Sequence, residues 1–336
     1  AFRPAPLALH GNGHVPNAEA ERLYRAGLYA WQTRTPVGLT HAVDDFTQAI
    51  VHDPQYAQAY AGLASCYNLL REYTAMPASY AFPRAKAAAE RAIALDPSLA
   101  DAHASLAFID FYWTHDAATA EREYKRAIAL SPNGATAHHW YANFLTNFGR
   151  FREALAEIDT AQQIDTSSTS ILADKGMILF VAGRTDEAIT LLRQLEETEP
   201  RFSSPHFYLA MISRARGDDA GFVRESLTDA AIRQDPTFHA IAAAASRGLA
   251  QGGHKGMLLA LLAAQQQRFG QQDDSAYQLA MTYAQLGDTK QALRYLQLSF
   301  RRHETDVVSL NIEPLFRPLR TLPQFRKLVR QAGLAS

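Results

Sequence analysis

The chain has 336 residues, of which 47% are hydrophobic, so it carries enough apolar surface for an extended core and global disorder is excluded. Its 33 Lys+Arg against 34 Asp+Glu leave a formal net charge of -1, which argues against direct nucleic-acid contact by this segment, because phosphate neutralisation needs a basic surface. A lone cysteine, Cys66, excludes an intrachain disulfide framework and a cysteine-rich zinc site, and no apolar run reaches the roughly 18 residues of a membrane span.

In chain order, residues 1–16 read as a linker rich in turn formers, with Pro4, Pro6, Gly11, Gly13 and Pro16. They lack the charged-then-apolar pattern of a signal peptide, so the chain is expected to start after a processed leader or downstream of another segment. From residue 17 to 299 apolar helical stretches end on a recurring stop. It stands at Asp53-Pro54, Asp96-Pro97, Ser131-Pro132, Glu199-Pro200 and Asp235-Pro236, with Asp165-Thr166 as a degenerate copy, at intervals of 43, 35, 34, 34 and 36 residues. A small residue precedes the position after the stop residue by five: Ala49, Ala92, Ala127, Ala161 and Ala231, with Leu195 the exception. Small residues there let two helices approach, and proline ends the helix because it lacks an amide proton and restricts its predecessor.

A period near 34 residues with aromatic and alanine positions in phase is the signature of the tetratricopeptide repeat. Tyr60, Leu63, Ala64 and Tyr67 supply it in the second repeat, and Leu279, Ala280, Tyr283, Gly287, Ala292 and Leu296 in the eighth. Gly149 and Gly183 mark the turn inside the fourth and fifth. The expected fold is all-α, a right-handed solenoid of about eight helical hairpins. The second is expected to carry an insertion near 74–83, protruding as a loop at Pro77 and Pro83. The seventh, Ala240–Phe269, is degenerate and turns at Gly252-Gly253. Residues 300–336 read as a capping segment, with Leu315, Phe316 and Leu319 among prolines and Phe325, Leu328 and Val329 on one face of a last helix.

No motif of a nucleophile elbow, zinc protease, phosphate loop, kinase or dinucleotide fold is present, so no catalytic residue and no cofactor is assigned. Gly11-Asn12-Gly13 and Gly252-Gly253-His254-Lys255 lack the preceding strand that a phosphate loop needs. His103, His138 and His206 share one repeat position, yet successive repeats are about 8–10 Å apart, and zinc ligands must converge at about 2 Å. They read as packing histidines, with no metal site; His138 and His139 point to different faces. Asp44-Asp45 and Asp218-Asp219 read as helix-start charges, Glu121, Arg122 and Glu123 as a solvated face, and Cys66 as a small buried residue.

A solenoid turns the first helix of each hairpin toward its concave side. Counting from three residues after each stop proline, positions 2, 5, 9, 12 and 13 face the groove, for example Gln58, Ala61, Ser65, Asn68 and Leu69 in the second repeat. In the third to sixth repeats these positions supply an apolar strip of Phe108, Phe111, Tyr112, Met177, Phe180, Phe207 and Met211, beside His139, Asn143 and Asn147. Such a strip marks a recognition surface for a protein segment or peptide, a small molecule being the other ligand class, unless the side chains pack on the neighbouring repeat.

The wording of GLYAWQTRTPVGLTHAVDDFTQAIVHDPQYAQAYAGLASCY, FPRAKAAAERAIALDPSLADAHASLAFIDFYW and AEREYKRAIALSPNGATAHHWYANFL resembles the C-terminal repeat region of bacterial winged-helix transcriptional regulators of the CadC/ToxR-like type. The ending EPLFRPLRTLPQFRKLVRQAGL is similar to one these proteins share with repeat-bearing serine/threonine kinases. The resemblance runs from about residue 17 to the end and is most specific over Trp31–Leu145. It implies a cytoplasmic DNA-binding head, one membrane helix and then this array as a sensor or interaction part on the periplasmic side, cytoplasm being the alternative. The head is not in this chain, so no DNA contact falls on any residue. The lysine-and-asparagine clamp of chaperone-binding members is missing from the groove positions. The rival reading is a free-standing scaffold for assembly of a protein complex, without a signalling role.

Overall fold

The computed structural model describes residues 14–74, 76–270 and 275–334. Among them the chain is helical, with no strand. The helices follow in pairs: α1 (Ala18–Gln32) with α2 (Pro36–His52), α3 (Ala57–Tyr73) with α4 (Ala78–Leu95), and α5 (Ala100–Tyr112) with α6 (Ala117–Leu130). Then come α7 (Ala135–Asn147) and α8 (Phe151–Ile164), α9 (Thr169–Val181) and α10 (Thr185–Thr198), and α11 (Ser203–Arg216) and α12 (Asp219–Arg233). The helical run α13 (Pro236–Gly270) breaks at Gly252 and Gly253, whose backbones are not helical. The pair α14 (Ala276–Gln285) and α15 (Thr289–Arg301) precedes two short 3-10 turns, Thr305–Ser309 and Pro314–Leu319, and the last helix α16 (Pro323–Gln331). The chain forms two compact units, Ala1–Tyr141 and Ala142–Ser336.

The recurring stop has a local cause. The backbone N–H of Asp53, Asp96, Ser131, Asp165 and Glu199 donates to the carbonyl four residues earlier, at Ala49, Ala92, Ala127, Ala161 and Leu195, closing the helix. The stop aspartate then turns the chain, its Oδ1 accepting the N–H two residues on: Gln55 at 3.1 Å, Ser98 at 3.0 Å, Ser167 at 3.2 Å and Thr237 at 2.8 Å. Helix starts are capped in turn, by Asn17, Thr35, Asp116, Ser168, Asp218, Ser275 and Asp288.

Ala49, Ala92, Ala127 and Ala161 are fully buried, whereas Ala231 is exposed and its neighbour Ala230 takes the buried place. The cause is the end of α12, where Gln234 adopts a left-handed cap instead of the extended stop and shifts the register by one residue. The second hairpin also departs from expectation. Its extra residues lengthen the helices instead of looping out: α3 and α4 hold 17 and 18 residues against 13 and 14 in α5 and α6. Pro77 sits at the N-cap of α4 and Pro83 inside it, anchored by buried Ala81, Phe82 and Ala85.

In the first unit the core is organised by Phe46 of α2. A Cβ added at Gly27 of α1 would lie 2.8 Å from its ring and one at Gly62 of α3 2.6 Å, so the two glycines let three helices close on one phenyl group. In the second unit α13 folds back on itself, and a Cβ at Gly248 would meet the carbonyl of Gly256 at 2.4 Å. The C-terminal segment buries Val307, Val308, Leu310, Phe316, Leu319, Phe325 and Leu328. Phe316 lies edge-on to Tyr277 of α14 at 5.3 Å, and Glu304 caps α14 through the N–H groups of Ala276 and Tyr277.

Of the expected linker, Pro4, Pro6, Gly11 and Gly13 lie outside the described residues. Its end is tied to the first stop, with His14 Nε2 2.9 Å from Asp53 Oδ2 and Asn17 N donating to the same oxygen at 3.2 Å. Asp44-Asp45 fall in the middle of α2, not at its start, whereas Asp218 caps α12 by accepting from Gly221 N at 2.9 Å.

Candidate binding surface

In the first unit the apolar residues assigned to the groove are largely core. Phe108 and Phe111 of α5 retain 4% and 1% of their exposure, and His139 of α7 5%. Phe108 stacks among Tyr112 at 4.3 Å, Trp140 at 5.0 Å and Phe82 at 6.4 Å, while Trp113 lies parallel to Phe82 at 5.4 Å. The lengthened α4 contributes Phe82 to this cluster, and with 4% and 1% exposure Phe108 and Phe111 belong to no ligand-facing strip. Tyr112 alone stays half-buried. Two of the second repeat's polar positions are likewise internal: Ser65 Oγ is 3.0 Å from Ser105 Oγ, and Asn68 Nδ2 donates to the Ser105 carbonyl at 3.2 Å, while Gln58 is half-buried.

The second unit keeps more of the assigned surface. Asn143 of α7, Met177 and Phe180 of α9, and Met211 of α11 are half-buried, and Phe207 of α11 is 37% exposed. A polar chain that the sequence reading missed runs across these same helices. Asn143 Nδ2 donates to Asp174 Oδ2 at 2.8 Å, and the Tyr208 hydroxyl donates to Asp174 Oδ1 at 2.5 Å. Asp174 and Tyr208 stand at the sixth position of α9 and α11, an ionisable-aromatic repeat in the sequence that the five chosen positions passed over.

Asn147, also assigned to the groove, is 5% exposed and already engaged. Its Nδ2 donates to the Asn143 carbonyl at 2.9 Å, and its Oδ1 accepts from Ser309 Oγ of the C-terminal segment at 3.1 Å. The same segment carries Glu313, whose carboxyl burial pushes up. Arg214 of α11 is buried against neutral partners: Nε donates to Gln285 Oε1 at 2.7 Å and Nη2 to Thr282 Oγ1 at 2.9 Å. Burial lowers its guanidinium to about 10, against the opposing pull of the Glu313 carboxylate.

The repeated histidines pair separately, each with neighbours of its own. His103 Nδ1 is 2.7 Å from Glu123 Oε2 and His138 Nε2 3.0 Å from the Pro132 carbonyl. His206 Nδ1 lies 2.7 Å from Glu196 Oε1 and 2.9 Å from Glu225 Oε2. Thus Glu121 and Glu123 are not a solvated face: both are half-buried, and Glu121 Oε1 accepts from the Tyr141 hydroxyl at 3.0 Å. Burial lowers the His206 imidazolium, but the two carboxylates more than offset it and raise it to about 9. Burial likewise raises Glu225, yet His206 and Arg193 bring it down to about 2. Cys66 is fully buried, and burial pushes its thiol well above its ordinary range, which leaves it unreactive at neutral pH.

With helix pairs and left-handed glycine turns at Gly149, Gly183 and Gly287 in place, the class is defined: the chain has the tetratricopeptide-repeat α-solenoid fold. The tetratricopeptide-repeat family model matches residues 273–302, the α14–α15 pair. Among curated proteins the chain is 25% identical over 173 residues to the transcriptional regulator HilA of Salmonella typhimurium, and equally to that of Salmonella typhi, covering 52% of this chain. The chain spans about a third of the length of these relatives, 31%. Among solved structures it is similar in fold to the human IFIT1 dimer with PPP-AAAA (TM-score 0.60, 15% identity, 95% of this chain and 72% of that one). It is also similar to yeast Tom70 (TM-score 0.51, 15% identity, 98% and 70%). No helix among the described residues is long and apolar enough to cross a membrane.

Proposed function

We propose that this chain is the non-catalytic, protein- or peptide-binding part of a bacterial transcriptional regulator with a winged-helix head, and that it captures its partner on the first helices of the second unit. Tetratricopeptide folds present extended helix faces to protein segments, and the likeness to HilA supports the regulatory context. The observation that carries the reading is the accessible apolar run Met177, Phe180, Phe207 and Met211 on α9 and α11, beside the Asn143–Asp174–Tyr208 chain. Half-buried apolar groups next to fixed polar groups suit a peptide whose side chains pack while its backbone is hydrogen-bonded.

The test is Phe207→Asp. Phe207 is 37% exposed, so the substitution leaves helical content and the unfolding midpoint unchanged. Wild-type and variant chains serve as bait in lysate of the source bacterium, with captured proteins quantified by mass spectrometry. A partner retained by wild type and reduced about tenfold or more by the variant is expected, the loss of a modest hot spot. Equal capture by both chains refutes the assignment of this face.

A further inference from the structure

Glu196 near the end of α10, His206 in α11 and Glu225 in α12 place one carboxylate oxygen, one imidazole nitrogen and a second carboxylate oxygen within 4.8 Å of one another. Both inner oxygens converge on His206 Nδ1, at 2.7 Å from Glu196 Oε1 and 2.9 Å from Glu225 Oε2. The outer oxygens are held elsewhere: Arg193 Nη1 grips Glu196 Oε2 at 2.6 Å, and its Nη2 grips Glu225 Oε1 at 2.8 Å, with Arg224 Nη2 on the same oxygen at 2.9 Å. Glu225 is 2% exposed.

One hydrogen at most lies among three electron-pair donors. The Nδ1 proton is directed to Glu225, and Glu196 Oε1 is a buried oxygen without a hydrogen bond, although it lies against the same nitrogen. We propose that Glu196, His206 and Glu225 form a divalent-cation site that takes zinc through Glu196 Oε1, His206 Nδ1 and Glu225 Oε2. Imidazole and carboxylate donors suit zinc, which needs them at about 2.0–2.2 Å and leaves a fourth position to water. Binding releases the Nδ1 proton to solvent, and each inner oxygen moves outward by a few tenths of an ångström. The arginines keep the carboxylates oriented through their outer oxygens, the role that hydrogen-bonding partners behind metal ligands usually fill. The ion would tie three helices from two consecutive hairpins.

The experiment is calorimetric titration of zinc chloride alone into chelator-treated full chain, with Glu196→Gln, His206→Gln and, as a control, His254→Gln. His254 forms a separate, exposed pair with Asp219 at 2.9 Å. Wild type and His254→Gln are expected to bind one zinc with the same saturable heat and to melt at higher temperature in its presence. Glu196→Gln and His206→Gln are expected to weaken binding on the order of 100-fold. Glu196→Gln preserves shape, so a correctly folded Glu196→Gln protein, checked by circular dichroism, keeps the test decisive if His206→Gln misfolds. Absence of stoichiometric binding by wild type overturns the proposal, as does wild-type affinity in folded Glu196→Gln.

Discussion

Replacing Phe108 by alanine distinguishes a core aromatic from a ligand-facing one. Its ring keeps 4% exposure and is enclosed by Phe82, Tyr112 and Trp140, so truncation removes the transfer energy of a buried phenyl group and leaves a cavity among rigid rings. Buried Phe→Ala changes cost about 3–5 kcal/mol. With a urea slope of about 2 kcal/mol per molar, the midpoint falls by on the order of 2 M. Tryptophan fluorescence is the suitable probe, because Trp31, Trp113 and Trp140 all lie in Ala1–Tyr141, the unit that holds Phe108. Urea titration followed by fluorescence should show the early transition in Phe108→Ala, while Phe207→Ala shifts it by less than about 0.5 kcal/mol. A wild-type fluorescence midpoint in Phe108→Ala refutes the argument that the aromatic cluster is structural.

Two further outcomes follow from the packing and the charges. Gly62→Ala in α3 brings a methyl group 2.6 Å from the Phe46 ring and should cost about 1–3 kcal/mol, and adding Phe46→Leu should recover part of the loss, read as a positive coupling in a double-mutant cycle of urea midpoints. In metal-free buffer, His206, raised from 6.5 to about 9, contributes stability that is full below about pH 6.5 and disappears as pH rises through about 9. Glu225, lowered from 4.5 to about 2, contributes above about pH 4.5 and loses it as pH falls through about 2. Denaturation midpoints between pH 6 and 10 should therefore decline for wild type and stay flatter for His206→Gln; parallel curves exclude the cluster as the cause.

The fold class was legible because each stop is a local device. An Asp-Pro dipeptide ends a helix, turns the chain through its own side chain and fixes the small residue whose carbonyl it caps, all within a few residues. What escaped the sequence depends on distant neighbours. The groove positions of α5 are periodic, but Phe108 is enclosed by Phe82 of α4 and Trp140 of α7, neighbours that its own helix does not announce. Proline spacing alone made 74–83 look like a loop, although residues 78–83 form the start of α4, with Ala81 and Phe82 buried. The exposure of Ala231 depends on a left-handed cap at Gln234, a residue type that gives little warning of it. Comparison of histidines with their copies in other repeats hid His206 from Glu196 and Glu225, which come from the adjacent helices of its own neighbourhood.

The hydrogen bond from Ser309 to Asn147 joins residues 162 positions apart. Repeat arrays ordinarily fold by adding each unit to the one before it, so that only sequence neighbours need to meet. Here the second unit contains a closure that no neighbour-by-neighbour growth supplies, and such distant contacts slow folding because chain entropy is lost before they form. On a ribosome the hydroxyl that satisfies Asn147 emerges only after the α14–α15 pair has been made. The α7 end of the proposed docking surface thus acquires its final surroundings only once the segment beyond α15 has folded back onto it, which couples completion of that surface to docking of the C-terminal segment.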